Sequence, residues 1–288
     1  MKTNILFCLI FNFIFSLSFS QNPDKKVEQR HYTSLKYYKL KYKEPLTKED
    51  SLNFQYRNND TLVLIKNYLE PKGVRVPYEF KDSTFLHYYK KVAFNHKNNL
   101  YSTKTSMKYW KEDIRIFFSK NIKKSTKKDF IPFVKNISDQ VDSLNIFIVK
   151  KAKDANYFIY NDGDYEYEEN LKNNKNTNYY IYWKQNKIYK GAIKLYPDDI
   201  SLEDKMKDYF IQSLGFFKLS NEFDCNSYFS NCASEKKTLT NLDLEIIKYH
   251  YSYGICKGTN LETFENQHKK AKALLKETGH KLYFLHVD

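Results

Sequence analysis

Apolar positions recur with two periods along the chain, and the change from one to the other marks out its elements. The pattern is sharpest from Trp110 onward. Residues 113–118, Asp-Ile-Arg-Ile-Phe-Phe, read as a strand. Ser125 opens a helix with Phe130, Phe133, Val134, Ile137, Val141 and Leu144 on one face. Residues 145–149 and 155–160 read as two further strands, and residues 161–178, rich in Asn, Asp and Glu, as an exposed loop. Residues 179–183 and 188–196 give two more strands around a Gln185-Asn186 turn. Residues 201–217 then read as an amphipathic helix with Met206, Tyr209, Phe210, Leu214 and Phe217 as its apolar stripe and Gly215 as its C-cap. A cysteine-bearing loop follows, then a helix from Asn241 to about Ser252 and a last helix from Leu261 to Thr278. Thr240 and Asp243 have the spacing of a capping box at the start of the first of these. The order of strand, helix, several strands and helix predicts an α+β fold, a mixed sheet with helices packed on one face and a helical C-terminal subdomain.

Upstream the signal is weaker. Tyr32, Leu35, Tyr38 and Leu40 give a helical stripe, and Thr47-Lys-Glu-Asp50 is placed to cap a second helix running toward Leu69. Glu70-Pro-Lys-Gly73 is a break. Residues 82–94 fit a helix or a long strand. Residues 21–75 are therefore expected to form an accessory helical region and residues 76–288 the main α+β domain.

Composition adds three constraints. With 288 residues, 41% hydrophobic and 17% aromatic, the chain can bury a core, and 7 Gly and 6 Pro leave little room for flexible linkers. The formal charge is +14, but lysine is spread along the chain. Its densest cluster, Lys120, Lys123, Lys124, Lys127 and Lys128, reads as a solvated face. No nucleic-acid motif accompanies it, so a nucleic-acid partner is not expected. The N-terminus pairs a basic Met1-Lys-Thr-Asn4 with an apolar run to Phe15 and small residues Ser18 and Ser20. That is the pattern of a secretory signal peptide over residues 1–20, with no transmembrane segment left after cleavage. Cys8 lies in the apolar run without the small residue that a lipid-attachment site places before it. The expected location is exported, periplasmic or secreted. Cys225, Cys232 and Cys256 then face conditions where disulfides persist. Cys225 and Cys232, enclosing a short polar loop, are the favoured pair, and a bridge using Cys256 is the alternative.

The chemistry turns on the helix at 201–217. Where zincin peptidases carry H-E-x-x-H-x-x-G, this chain has Asp208-Tyr-Phe-Ile-Gln-Ser-Leu-Gly215. Two histidines four apart on one helix face hold zinc, and the glutamate activates water. Here Asp208 stands at the first ligand position, Tyr209 at the glutamate, Gln212 at the second ligand and Lys218 at the third ligand of the extended motif. Gln212 is a poor zinc ligand and Tyr209 cannot act as a carboxylate base. No catalytic residue, metal or cofactor is assigned, and the helix also reads as an ordinary buried stripe. None of His31, His87, His96, His250, His268, His280 and His286 forms an H-x-x-x-H pair. His250 reads as a hydrogen-bonded helix residue and His268 as exposed. Ser213 lacks the Gly-x-Ser-x-Gly elbow. Asp162, Asp164, Glu166, Glu168 and Glu169 read as a solvated acidic loop. The many tyrosines of the sheet region, among them Tyr157, Tyr160, Tyr179, Tyr180 and Tyr182, follow from strand propensity.

The segments Ile211-Gln-Ser-Leu-Gly-Phe216, Leu239-Thr-Asn-Leu-Asp243, Ile246-Ile-Lys-Tyr-His-Tyr251, Tyr109-Trp-Lys-Glu-Asp-Ile-Arg-Ile116 and Ala155-Asn-Tyr-Phe158, with the Ser-Tyr-Phe-Ser run at 227–230, carry a resemblance. Together they resemble an uncharacterised family of exported bacterial proteins, often described as lipoproteins, with a degraded zincin-like helix of the form E-x-x-Q-x-L-G. The resemblance spans about residues 78–260. It implies a zincin-like mixed sheet with packed helices and a degraded metal-site helix. Only Gln212 and Gly215 carry over, since the family's helix glutamate is Tyr209 here. The function expected from this reading is a non-catalytic, metalloprotease-like binding or envelope-associated domain whose partner is an envelope protein, a peptide or a glycan. The alternative is a divergent extracytoplasmic hydrolase of peptide or glycan using other residues.

Overall fold

The structure, a computed structural model, describes residues 30–42, 44–57, 59–66, 73–94, 105–199, 202–232, 236–278 and 281–286. The expected signal peptide, Cys8, the Pro71 break, His96 and His280 lie outside these residues. The chain divides into two compact units, Met1–Lys72 and Gly73–Asp288.

The described part of the first unit is not the helical region expected. It is a three-stranded antiparallel sheet in the order β1-β3-β2, from β1 (Tyr32–Ser34), β2 (Gln55–Arg57) and β3 (Asp60–Leu64). Two short helices accompany it, α1 (Leu35–Lys41) and α2 (Lys48–Leu52). Thr47 and Asp50 do form a capping box. The helix they open stops after Leu52, at Asn53, whose N–H returns to the carbonyls of Asp50 and Ser51. β2 is exposed along its whole length, so it carries no alternation to read.

The second unit is α+β. It begins with β4 (Val74–Pro77), α3 (Ser83–Ala93, capped by Asp82), the two-residue β5 (Tyr109–Trp110) and β6 (Ile114–Phe118). There follow α4 (Lys124–Gln140), β7 (Ile146–Val149), β8 (Tyr157–Asn161), β9 (Asn178–Lys184) and β10 (Lys187–Leu195). The main sheet runs β7-β6-β8-β10-β9 across its width, with β5 continuing the lane of β8 along β10. All its pairings are parallel except that of the edge strand β9. β9 and β10 turn back on each other through Gln185 and Asn186, at φ 49° and 67°, the left-handed pair that a type I′ hairpin needs.

β6 alternates as the sequence suggests. Ile114, Ile116 and Phe118 are buried in the main core, where α4 adds Phe130, Val134 and Ile137. The opposite face carries a smaller cluster of Tyr160, Leu171 and Ala192, with Phe158 and Tyr167 beside it. That cluster lies under residues 161–177, the stretch expected to be an exposed loop. Much of the stretch is exposed as expected, but Glu168, Leu171 and Thr177 are buried, and ion pairs stitch it to the sheet. Glu168, 1% exposed, accepts from Tyr182 Oη at 2.6 Å and pairs with Lys190 at 3.0 Å. Lys194, 2% exposed, pairs with Glu166 at 2.9 Å and Asp162 at 3.0 Å. Buried charges of this kind persist only when paired and hydrogen-bonded.

The remaining elements are α5 (Leu202–Gly215), α6 (Asn241–Tyr251), α7 (Leu261–Thr278) and β11 (Tyr283–His286). The Thr240–Asp243 capping box forms at the start of α6. β11 pairs antiparallel with β4, so the C-terminal part ends on a strand as well as helices. No helix among the described residues is long and apolar enough to cross a membrane.

Candidate functional site

α5 follows β10 directly and packs against β9, β10, β5 and α4. Its buried face is Met206, Phe210, Ile211, Ser213, Leu214 and Gly215. Its C-terminal turn is tied down by side chains from three other elements. The Trp110 indole N–H donates to the Ser213 carbonyl at 3.1 Å. The Tyr251 hydroxyl donates to the Leu214 carbonyl at 2.6 Å and accepts from the Trp110 N–H at 3.3 Å. Tyr157 Oη and Ser213 Oγ lie 2.8 Å apart. The last carbonyls of a helix lack intrahelical donors, and Trp110 and Tyr251 supply two of them here. Ser213 is thereby a hydrogen-bonded core residue.

The helix stop differs from the expected glycine cap. Gly215 is the last helical residue, and the left-handed position is Phe216, at φ 53°. The Phe217 N–H closes the turn on the Gln212 carbonyl at 2.9 Å, the 6→1 bond of a Schellman motif. Glycine is required at 215 for space. A Cβ there would sit 2.5 Å from the Phe217 ring.

The positions aligned with the zinc motif point to different neighbours. Asp208, with 21% of its side chain exposed, lies 3.6 Å from the Nζ of Lys237. Lys237 is itself buried and donates to the Ser230 carbonyl at 2.5 Å. The buried Oδ1 of Asp208 has no hydrogen-bond partner among the described residues. Burial lifts its carboxyl from the usual 3.8 to about 6, against the pull of Lys237, and the charges of Asp204 and Asp243 add to the lift. Tyr209 faces β9, its ring 5.3 Å from that of Tyr179, and burial raises its hydroxyl. Gln212 is half-buried. Asp208 and Tyr209 are thus not brought to one point. Asp208 looks to the segment carrying Tyr228, Lys237 and Asp243, and Tyr209 to the sheet edge.

That segment is built around Asp243. Ser227 Oγ donates to it at 2.5 Å, the Tyr228 N–H at 3.0 Å and the Thr240 N–H at 3.1 Å. Cys225 and Cys232 close the adjoining loop as a disulfide, with Cα atoms 5.1 Å apart, and Cys256 is a free thiol. A disulfide fits a non-reducing compartment.

The histidines among the described residues do not converge. His250 is fully buried, with Nδ1 3.2 Å from Tyr89 Oη and Nε2 2.7 Å from the Lys108 carbonyl. The carbonyl can only accept, so Nε2 carries the proton. Burial pulls this imidazole down to about 4. His268 was expected in solvent; it is half-buried, with Nδ1 2.8 Å from Tyr78 Oη. Among the described residues, no three His, Cys, Asp or Glu side chains gather as a metal-holding group.

Lys237 is the site residue that the sequence does not flag. It lies in a Lys-Lys pair that looks like any solvated charge. No known family model matches this chain, and no curated protein matches it.

Proposed function

We propose that this protein is an exported, non-catalytic binding domain on a metalloprotease-like frame. The carrying observation is the Asp208–Lys237 pair. Asp208 is the one carboxylate at the aligned positions, and its neighbouring cation is a buried lysine. A lysine ammonium so close opposes a divalent ion by like-charge repulsion. Tyr209, at the position of the catalytic glutamate, is packed on Tyr179. The frame reading draws support from a mixed sheet with one antiparallel edge strand, followed at once by a helix ending Leu214-Gly215. Export draws support from the signal-like N-terminus and the Cys225–Cys232 disulfide. The partner classes that suit this reading are an envelope protein, a peptide or a glycan.

Metal analysis of the protein purified from Gln21 onward tests the reading. The expected result is zinc well below one equivalent, unchanged by Gln212→Ala. One tightly held equivalent of zinc that disappears in Gln212→Ala refutes it.

A further inference from the structure

A second place in the fold has the chemistry of a binding site, built from elements other than α5. A cleft of 460 Å³ opens where β5, the start of β10, the turn after α4, the turn after α6 and β11 come together. That volume is within the range of small-molecule sites. Three lysines line it, Lys111, Lys187 and Lys257, together with His286, and no Asp or Glu among the described residues does. None of the three lysines has an ion-pair partner among the described residues, although many lysines elsewhere in this unit do. Lys111 and Lys187 are exposed at the rim and Lys257 is half-buried. The Nζ of Lys257 donates to Ser143 Oγ at 3.2 Å and lies 4.5 Å from the centre of the Tyr253 ring. Ser143 in turn donates to the Tyr251 carbonyl, so the floor of the cleft is held in place. Tyr109, Tyr253 and Phe284 give it aromatic and apolar surface.

We propose that this cleft binds a small organic phosphate ester, its phosphate among Lys111, Lys187 and Lys257 and its body against Tyr109, Tyr253 and Phe284. Three unpaired ammonium groups without a carboxylate are a local excess of charge that a dianion relieves. Lysines act as point charges toward phosphate, whereas the planar fork that selects a carboxylate belongs to arginine, which the cleft lacks. Burial also holds Lys257 at about 8, the mark of an ammonium without a compensating anion. The assignment is independent of α5 and stands whether or not that helix holds a metal.

Cys256 lines the same cleft as a free thiol and provides the readout. Its alkylation by iodoacetamide is followed in the whole protein with glucose 6-phosphate, glucose, inorganic phosphate or phosphatidylglycerol vesicles present. Glucose 6-phosphate is expected to slow the reaction saturably. Glucose and the vesicles should leave it unchanged, and inorganic phosphate should act only at higher concentration. Lys187→Gln, a change at an exposed residue that leaves folding intact, should raise the concentration needed by about tenfold, as loss of one charge contact implies. Lys257→Met should abolish the effect. The proposal is overturned if glucose 6-phosphate gives no protection, if glucose or the vesicles protect as well as it does, if inorganic phosphate matches it, or if Lys187→Gln responds as the unaltered protein does.

Discussion

Replacing Asp208 by asparagine should make the protein more stable at neutral pH, although it removes one partner of an ion pair. The carboxyl ionises at about 6 in the fold against 3.8 ordinarily. Between those values the native state holds a proton that the unfolded chain has released. Stability from this group is therefore greatest below about pH 4 and is lost as pH rises to 6 and beyond. The lift corresponds to about 3 kcal/mol by the usual conversion of 1.36 kcal/mol per pH unit, and partial exposure of the side chain trims this to about 2–3 kcal/mol. The attraction of Lys237 already enters that balance, opposing the lift. His250 works in the opposite direction. Its folded pKa is depressed from 6.5 to about 4, so the unfolded chain binds the extra proton and stability falls as pH drops through the same window. The contributions of these two groups largely offset each other between pH 4 and 6. Asp208→Asn should expose an acid limb of about 2 kcal/mol over that range. The assay is urea unfolding followed by tryptophan fluorescence from pH 4 to 8. Trp110 and Trp183 are the two tryptophans of the chain, and both lie in the second unit, so the signal reports that unit alone. If Asp208→Asn is less stable than the unaltered protein at pH 7.5, attraction to Lys237 outweighs burial and the reasoning is wrong.

Two further changes probe the same core. His250→Phe leaves the Lys108 carbonyl and the Tyr89 hydroxyl without their partner; it should lower stability by about 2–4 kcal/mol at pH 7.5 and leave the Asp208 contribution unopposed, so that stability rises as pH falls from 6 to 4, both read in the same urea titration. Gly215→Ala forces the buried Phe217 ring away from Phe229 and His250; a loss of about 1–3 kcal/mol is expected, and thermal unfolding at unchanged stability would show that the turn has slack.

What was legible in the sequence follows from the range of the forces involved. The strands of the main sheet and the stripe on α4 announce themselves because period and burial coincide within a few residues. The Thr240–Asp243 cap and the Cys225–Cys232 bridge are equally local. The accessory sheet was missed because β2 exposes every residue and because the capping box at Thr47 says where a helix starts and nothing of its length. The pairing of β11 with β4 joins the two ends of the second unit, which no local pattern can signal. Residues 162–169 looked solvated because a carboxylate run ordinarily is, and Asp162 and Glu169 are exposed; Lys190 and Lys194, which pair with Glu168 and Glu166, arrive from the adjacent strand. The cleft is assembled from Lys111, Lys187 and Lys257, about seventy residues apart, each unremarkable in a lysine-rich chain.

The two halves of the stretch from Asp208 to Gly215 answer to different physics, and this bears on how much the likeness to a zinc motif says about activity. The Leu214-Gly215 end is required by packing alone. Phe217 lies on the bare Cα of Gly215, and Tyr251 and Trp110 claim the carbonyls of Leu214 and Ser213. A helix held this way needs a glycine at that position whether or not it ever held a metal. The spacing to Gly215 is therefore evidence about how α5 docks on the sheet and not about chemistry. Evidence about chemistry resides in Asp208, Tyr209 and Gln212. There the fold offers a carboxyl raised toward neutrality beside a buried lysine, an aromatic ring laid on β9 and a half-buried amide. Placing histidines at positions 208 and 212 and glutamate at 209 would accordingly not create zinc binding by itself. Lys237 would still direct its charge into the site, and the first substitution to test beside those three is Lys237→Met.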